Sequence, residues 1–123
     1  FNSGLTGAIP EGFQKMQTLR HLALQWCTLT GTLPAWVGNM QTLKYLGLGN
    51  NLLTGKVPEE IGTLTNLQLL GLDDNDLQAN IELFHTLTSV RSLYLEDNQI
   101  SGTLSEALMA SWPDLEELDV SNN

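Results

Sequence analysis

Two histidines, one cysteine and fourteen acids are the side chains with chemistry to offer. His21 and His85 stand 64 residues apart, and no serine sits in a nucleophile elbow. There is no phosphate-binding glycine loop and no zinc-ligand spacing. The expectation is a chain that is not an enzyme and needs no cofactor or metal. What remains is recognition. Trp26, Tyr45, Leu69 and Tyr94 are the side chains a protein interface favours, and Asp73, Asp74, Glu96, Asp97 and Asp119 are the acids nearest them in pattern. A cation would want six to eight oxygens from a compact D-x-D-x-D loop, and none occurs. The acids therefore read as a solvated face or as a surface for a basic protein partner.

These residues are brought together by a repeat. The frame is Leu43–Asn66, LKYLGLGNNLLTGKVPEEIGTLTN. Leu46 and Leu48 alternate like a half-buried strand, and Gly55 and Pro58 turn the chain away from it. Neither half can bury its apolar residues unless copies stack on both sides. Copies begin at Leu19, Leu43, Leu67, Val90 and Leu115, at intervals of 24, 24, 23 and 25. The chain is one domain: a partial repeat 1–18, repeats 19–42, 43–66, 67–89 and 90–114, and a partial repeat 115–123.

The pattern L-x-x-L-x-L-x-x-N-x-L-T-G-x-I-P-x-x-I-G-x-L resembles the plant-type leucine-rich repeat family. Three copies keep G-x-[ILV]-P, at residues 7–10, 31–34 and 55–58. The resemblance covers essentially the whole chain. It implies an α/β fold: a right-handed leucine-rich-repeat solenoid with a parallel concave β-sheet and short helical or 3-10 turns on the convex side. It also implies an extracellular, cell-surface or organelle-lumen setting.

Stacking assigns places within this frame. Neighbouring strands lie about 4.8 Å apart. One concave column reads His21, Tyr45, Leu69, Ser92, Glu117, and the next Ala23, Gly47, Gly71, Tyr94, Asp119. Trp26 and the acids Asp73, Asp74, Glu96 and Asp97 fall where the strands end. The aromatic residues either form a contact stripe or pack against one another across strands. Cys27, Asn51, Asn75, Asn98 and Asn123, with Ser3 before them, form a ladder at the corner, where an amide can bond the backbone of its own turn and the next. The convex turns should bury Phe13/Met16, Val37/Met40, Ile61/Leu64, Phe84/Leu87 and Leu108/Trp112. Trp36 aligns with Glu60 in an exposed slot and is a second possible contact. Repeat three loses a residue near Glu82–Leu83, and repeat four gains one between Leu108 and Trp112. Arg91 should pair with Glu116, one repeat further on.

Residues 1–66 carry four bases and three acids, whereas residues 67–123 carry one base and eleven acids. The acidic half argues against nucleic acid, which needs clustered Lys and Arg. No apolar run approaches the ~20 residues that span a bilayer. One cysteine cannot form an internal disulfide, and no disulfide-linked partner is inferred. No N-x-S/T sequon is present. The chain opens partway through a repeat and stops at a ladder asparagine, without polar caps, so a segment of a longer protein or one covered by partners is expected. The leading expectation is a non-catalytic protein–protein interaction scaffold binding through its concave face, as an accessory subunit of a larger assembly. The alternatives are the ligand-binding ectodomain of a leucine-rich-repeat receptor kinase or receptor-like protein, and a secreted enzyme inhibitor. An ice-binding role would want a regular Asn or Thr array, which the mixed concave columns lack.

Overall fold

The computed structural model describes residues 4–123; the Ser3 ladder position lies outside them. In chain order the strands are β1 (Thr6–Gly7), β2 (His21–Ala23), β3 (Thr28–Thr32), β4 (Tyr45–Gly47), β5 (Leu52–Lys56), β6 (Leu69–Gly71), β7 (Asp76–Asn80), β8 (Ser92–Tyr94), β9 (Gln99–Ser101) and β10 (Glu117–Asp119). They form two parallel sheets. The concave sheet runs β2-β4-β6-β8-β10 and the second runs β1-β3-β5-β7-β9. The coil is a leucine-rich-repeat solenoid.

The second sheet departs from the sequence expectation of a single one. The T-G-x-V-P stretch reads as a turn, yet it continues a strand. In β5, Leu53 is fully buried while Leu52 and Thr54 face outward, the two-residue alternation of a sheet covered on one side. Gly55, at φ +82°, ends that alternation and aims the chain at Val57 and Pro58. The left-handed backbone is open to glycine without steric cost.

Short 3-10 helices follow at Glu11–Lys15, Ala35–Asn39, Glu59–Thr63 and Ile81–Thr86. Pro10, Pro34 and Pro58 precede the first three and hold the chain extended. Repeat three has no such proline. Its helix starts directly after β7, and the Asn80 side chain caps it by accepting from Glu82 N at 3.0 Å. The extra residue of repeat four gives room for a true α-helix, α1 (Glu106–Ala110), capped by Ser105.

One apolar core runs the length of the coil. The expected convex pairs Val37/Met40, Ile61/Leu64, Phe84/Leu87 and Leu108/Trp112 are all buried. Burying each such side chain stabilises by about 1.5–3 kcal/mol. Two placements differ. Met16, which ends the first 3-10 turn, is exposed. Trp36 is half-buried against the core rather than standing in solvent. Trp112 is buried in the core and donates from Nε1 to Phe84 O at 2.9 Å. Neighbouring helices are close enough that a Cβ on Gly38 would lie 2.4 Å from Glu60 O.

The corner between the two sheets holds the amide ladder. Asn51 Oδ1 accepts from Leu29 N at 3.0 Å, and its Nδ2 donates to Leu24 O and Leu48 O, each at 2.9 Å. Asn75 repeats this with Leu53 N, Leu48 O and Leu72 O. Asn98 and Asn123 continue it. Each amide thus satisfies backbone groups that have left one sheet and not yet entered the next. Cys27 is half-buried in the same slot, its Sγ 3.6 Å from Gln25 O.

Candidate functional site

Register sets the concave face. His21, Tyr45, Leu69, Ser92 and Glu117 stand side by side, and so do Ala23, Gly47, Gly71, Tyr94 and Asp119. Tyr45, Leu69 and Tyr94 are half-buried. The His21 and Tyr45 rings stack with centroids 5.6 Å apart and planes 24° from parallel. Tyr45 Oη accepts from Gln25 Nε2 at 2.6 Å. Tyr94 Oη donates to Glu117 Oε2, crossing from one column to the other.

The second repeat is the barest in sequence, but its neighbours cover it. A Cβ on Gly47 would lie 2.6 Å from Gln25 Nε2, so the glycine makes room for the Gln25 arm that reaches Tyr45. A Cβ on Gly49 would lie 2.2 Å from Asp73 Oδ1. Asp73 therefore rests over Gly49 from the other side, held by Asn50 Nδ2 at 2.8 Å. The sequence places Gln25 at the strand exit but not among the contact residues. The signal that could have found it is the small residue one repeat onward, which leaves space for a long side chain.

The acids fall into two groups. Asp74 (φ 48°) and Asp97 (φ 53°) occupy the left-handed corner just before the ladder asparagines. Asn50 and Asn122 hold that place in other repeats. Asn and Asp tolerate this backbone best after glycine, which gives these two acids a structural reason of their own. Their N–H groups bond Glu96 O at 3.0 Å and Ser121 O at 3.1 Å. Trp26 stands at the same corner with φ 60°, exposed beyond the end of β2 at the rim of the concave face.

Asp73, Glu96 and Asp119 form the inner group. Burial pushes the Asp73 carboxyl above its usual range, and the nearby Asp74 and Asp119 charges push it further. Burial likewise raises Glu96, helped by Asp119, Asp73 and Asp74. Glu96 Oε2 is shielded from solvent, with no hydrogen-bond partner among the described residues. Asp119 moves the other way, because Ser121 Oγ at 2.6 Å and Ser121 N at 3.0 Å donate to it. Arg91 Nη1 lies 3.3 Å from Glu116 Oε1, both side chains exposed, a pair contributing under about 1 kcal/mol.

Among the described residues, no group of three or more His, Cys, Asp and Glu is placed to hold a metal ion. No described helix is long and apolar enough to cross a membrane. His21 lies on the concave face and His85 in the Ile81–Thr86 helix, so the two do not meet. The second sheet presents Thr30, Thr32 and Thr54 to solvent. Thr32 pairs with Thr54, but Thr30 pairs with Leu52 and Thr54 with Asp76, so this face also lacks an unbroken threonine array.

A coil of parallel strands cornered by an amide ladder defines a leucine-rich-repeat protein, and two leucine-rich-repeat family models match, at residues 17–77 and 89–110. The chain belongs to the leucine-rich repeat family. No curated protein sequence matches it. Among solved structures it is similar to the leucine-rich-repeat ectodomain of the receptor kinase SOBIR1 from Arabidopsis thaliana. The identity is 27%, over 100% of this chain and 67% of that one, with a TM-score of 0.91. It is similar also to the ectodomain of the Arabidopsis receptor kinase HAESA, solved in complex with an extended IDA peptide hormone. There the identity is 34%, over 96% of this chain and 20% of that one, with a TM-score of 0.89. A plant ice-binding protein matches at 27% identity, over 100% of this chain and 39% of that one, with a TM-score of 0.83. The chain spans between 14% and 67% of the receptor ectodomains it matches.

Proposed function

We propose that the chain is ligand-binding leucine-rich-repeat ectodomain surface that takes an extended peptide or protein segment across its concave face. The observation that carries this is the half-buried set Tyr45, Leu69 and Tyr94 across the two concave columns, on a repeat frame 34% identical to an ectodomain solved with a peptide hormone. The ectodomain reading is preferred to the accessory-subunit one, because similar structures also include the plant peptide hormone receptor RGFR1 in complex with RGF2 and a receptor-kinase ectodomain in complex with Casparian strip integrity factor 2. The binding set is Trp26, Tyr45, Leu69 and Tyr94, with Asp73, Asp74, Glu96, Asp97 and Asp119 receiving basic residues of the partner. Its role is binding without catalysis.

The experiment is selection of a displayed random peptide library on the immobilised chain. Affinities of the selected peptides are then measured for Trp26→Ala, Tyr45→Ala and Tyr94→Ala. Each should weaken binding about tenfold or more, the effect of an interface anchor. Variants that keep the circular dichroism spectrum of the parent and bind as well as it does would refute the assignment.

A further inference from the structure

The shortened third repeat opens a groove far from the concave face. In repeats one and two, two residues separate the second-sheet strand from its helix. In repeat three the helix begins at Ile81, directly after β7. Ala79 also replaces the glycine that bends the earlier strands, and it is not among the residues with positive φ. The convex wall therefore drops away beside β7. The resulting groove has a volume of about 940 Å³.

We propose that this groove is a second binding site, for a neutral, hydroxyl-rich ligand: an oligosaccharide. Gln78 and Gln99 line it from the sheet and Thr63 and Thr86 from the helices, together with Val57 and Ala79. The Thr63 and Thr86 hydroxyls donate to the carbonyls of Gly38, Glu60 and Gly62 and so offer acceptors to the groove, while Gln78 and the second amide proton of Gln99, whose first goes to Asp76 Oδ1, offer donors; a sugar hydroxyl uses both. His85 adds an acceptor. Its Nδ1 lies 2.7 Å from Glu82 O, and a carbonyl can only accept, so in the neutral ring the proton sits on Nδ1 and Nε2 accepts.

Two features select this ligand class over others. Lys56 is opposed by Glu59 and Glu82 in the lining, and the chain carries a net −9, so an anionic polymer is repelled. β7 is paired on both sides, by β5 and β9. An incoming peptide therefore finds no strand edge in the groove to extend.

The test is a titration of the ¹⁵N-labelled chain with cellohexaose and laminarihexaose, with a polygalacturonate hexamer as the anionic control. Saturable shifts confined to Gln78, Asn80, His85, Gln99 and their neighbours are expected, with a midpoint of about 1 mM. Gln78→Glu keeps shape, removes donors and adds charge, and should weaken binding at least about fivefold. Tyr45→Ala should leave the sugar response unchanged, which separates this site from the concave one. Any of three results would overturn the proposal: no shift from either neutral sugar at about 20 mM, shifts confined to the concave face, or a concave-selected peptide occupying the groove instead.

Discussion

Replacing Asn51 by alanine should be the most damaging single change at the corner of the coil. Asn51 is the one polar residue that is fully buried among those described, at 7% exposure. Alanine would strand Leu29 N, Leu24 O and Leu48 O, which it now bonds at 2.9–3.0 Å. Leaving a buried backbone group unsatisfied costs about 1–3 kcal/mol. The three groups share one site and relax together, so a total of about 4 kcal/mol is expected, a large share of the 5–15 kcal/mol typical of a domain. With an unfolding entropy near 2.1 cal/mol/K per residue, that lowers Tm by about 15 °C. Asn51→Asp separates lost donors from lost volume. It keeps the size and the acceptor for Leu29 N, turns the donors to Leu24 O and Leu48 O into a carboxylate oxygen facing those carbonyls and buries a charge, so it should cost at least as much at neutral pH. Part of that loss should return as the carboxyl protonates in acid. Asn123→Ala, at the exposed last rung, should cost under about 1 kcal/mol. Urea unfolding followed by circular dichroism measures all three. If Asn51→Ala costs under about 1 kcal/mol at unchanged m-value, or if Asn51 and Asn123 cost the same, the ladder does not work as described.

Other substitutions probe separate parts of the structure. Glu96→Gln should stabilise the chain at pH 7. A carboxyl whose pKa is raised in the folded state favours folding fully below its unfolded pKa and loses that advantage as pH rises through the folded value. The difference in Tm from the parent should accordingly shrink as pH falls toward the carboxylate range, and a constant difference would contradict the burial argument. Gly38→Ala should destabilise by about 1–3 kcal/mol, because its Cβ meets Glu60 backbone. Gly12→Ala enters open space and should be neutral or stabilising by about 0.5 kcal/mol in the same unfolding assay. Cys27→Asn restores the ladder amide and should raise stability by about 1 kcal/mol, checked by thermal unfolding.

The concave columns were legible because parallel stacking at a fixed interval converts sequence position directly into spatial neighbours. His21 beside Tyr45 and Arg91 beside Glu116 follow from counting alone. The second sheet was not legible. Its strands are short, rich in Thr and Gly, and carry the residues that also make turns. Only pairing with the repeats on either side decides between the two. The corner was half legible. The asparagine ladder showed as a column, but the left-handed residue before it did not. Asp74 and Asp97 therefore read as part of an acidic surface when the backbone already accounts for their type.

The sequence by itself determined the coil, its repeat length and the face each leucine turns inward, since these depend on periodicity and burial, which are local and additive. Only the tertiary structure decided what fills the space between repeats. Gln25 and Asp73 lie over glycines one repeat away, one Glu96 carboxylate oxygen loses its solvent, and a missing residue near Glu82 becomes a groove. Each of these depends on the distance between side chains from different turns of the coil, and that distance is fixed only when the turns have packed.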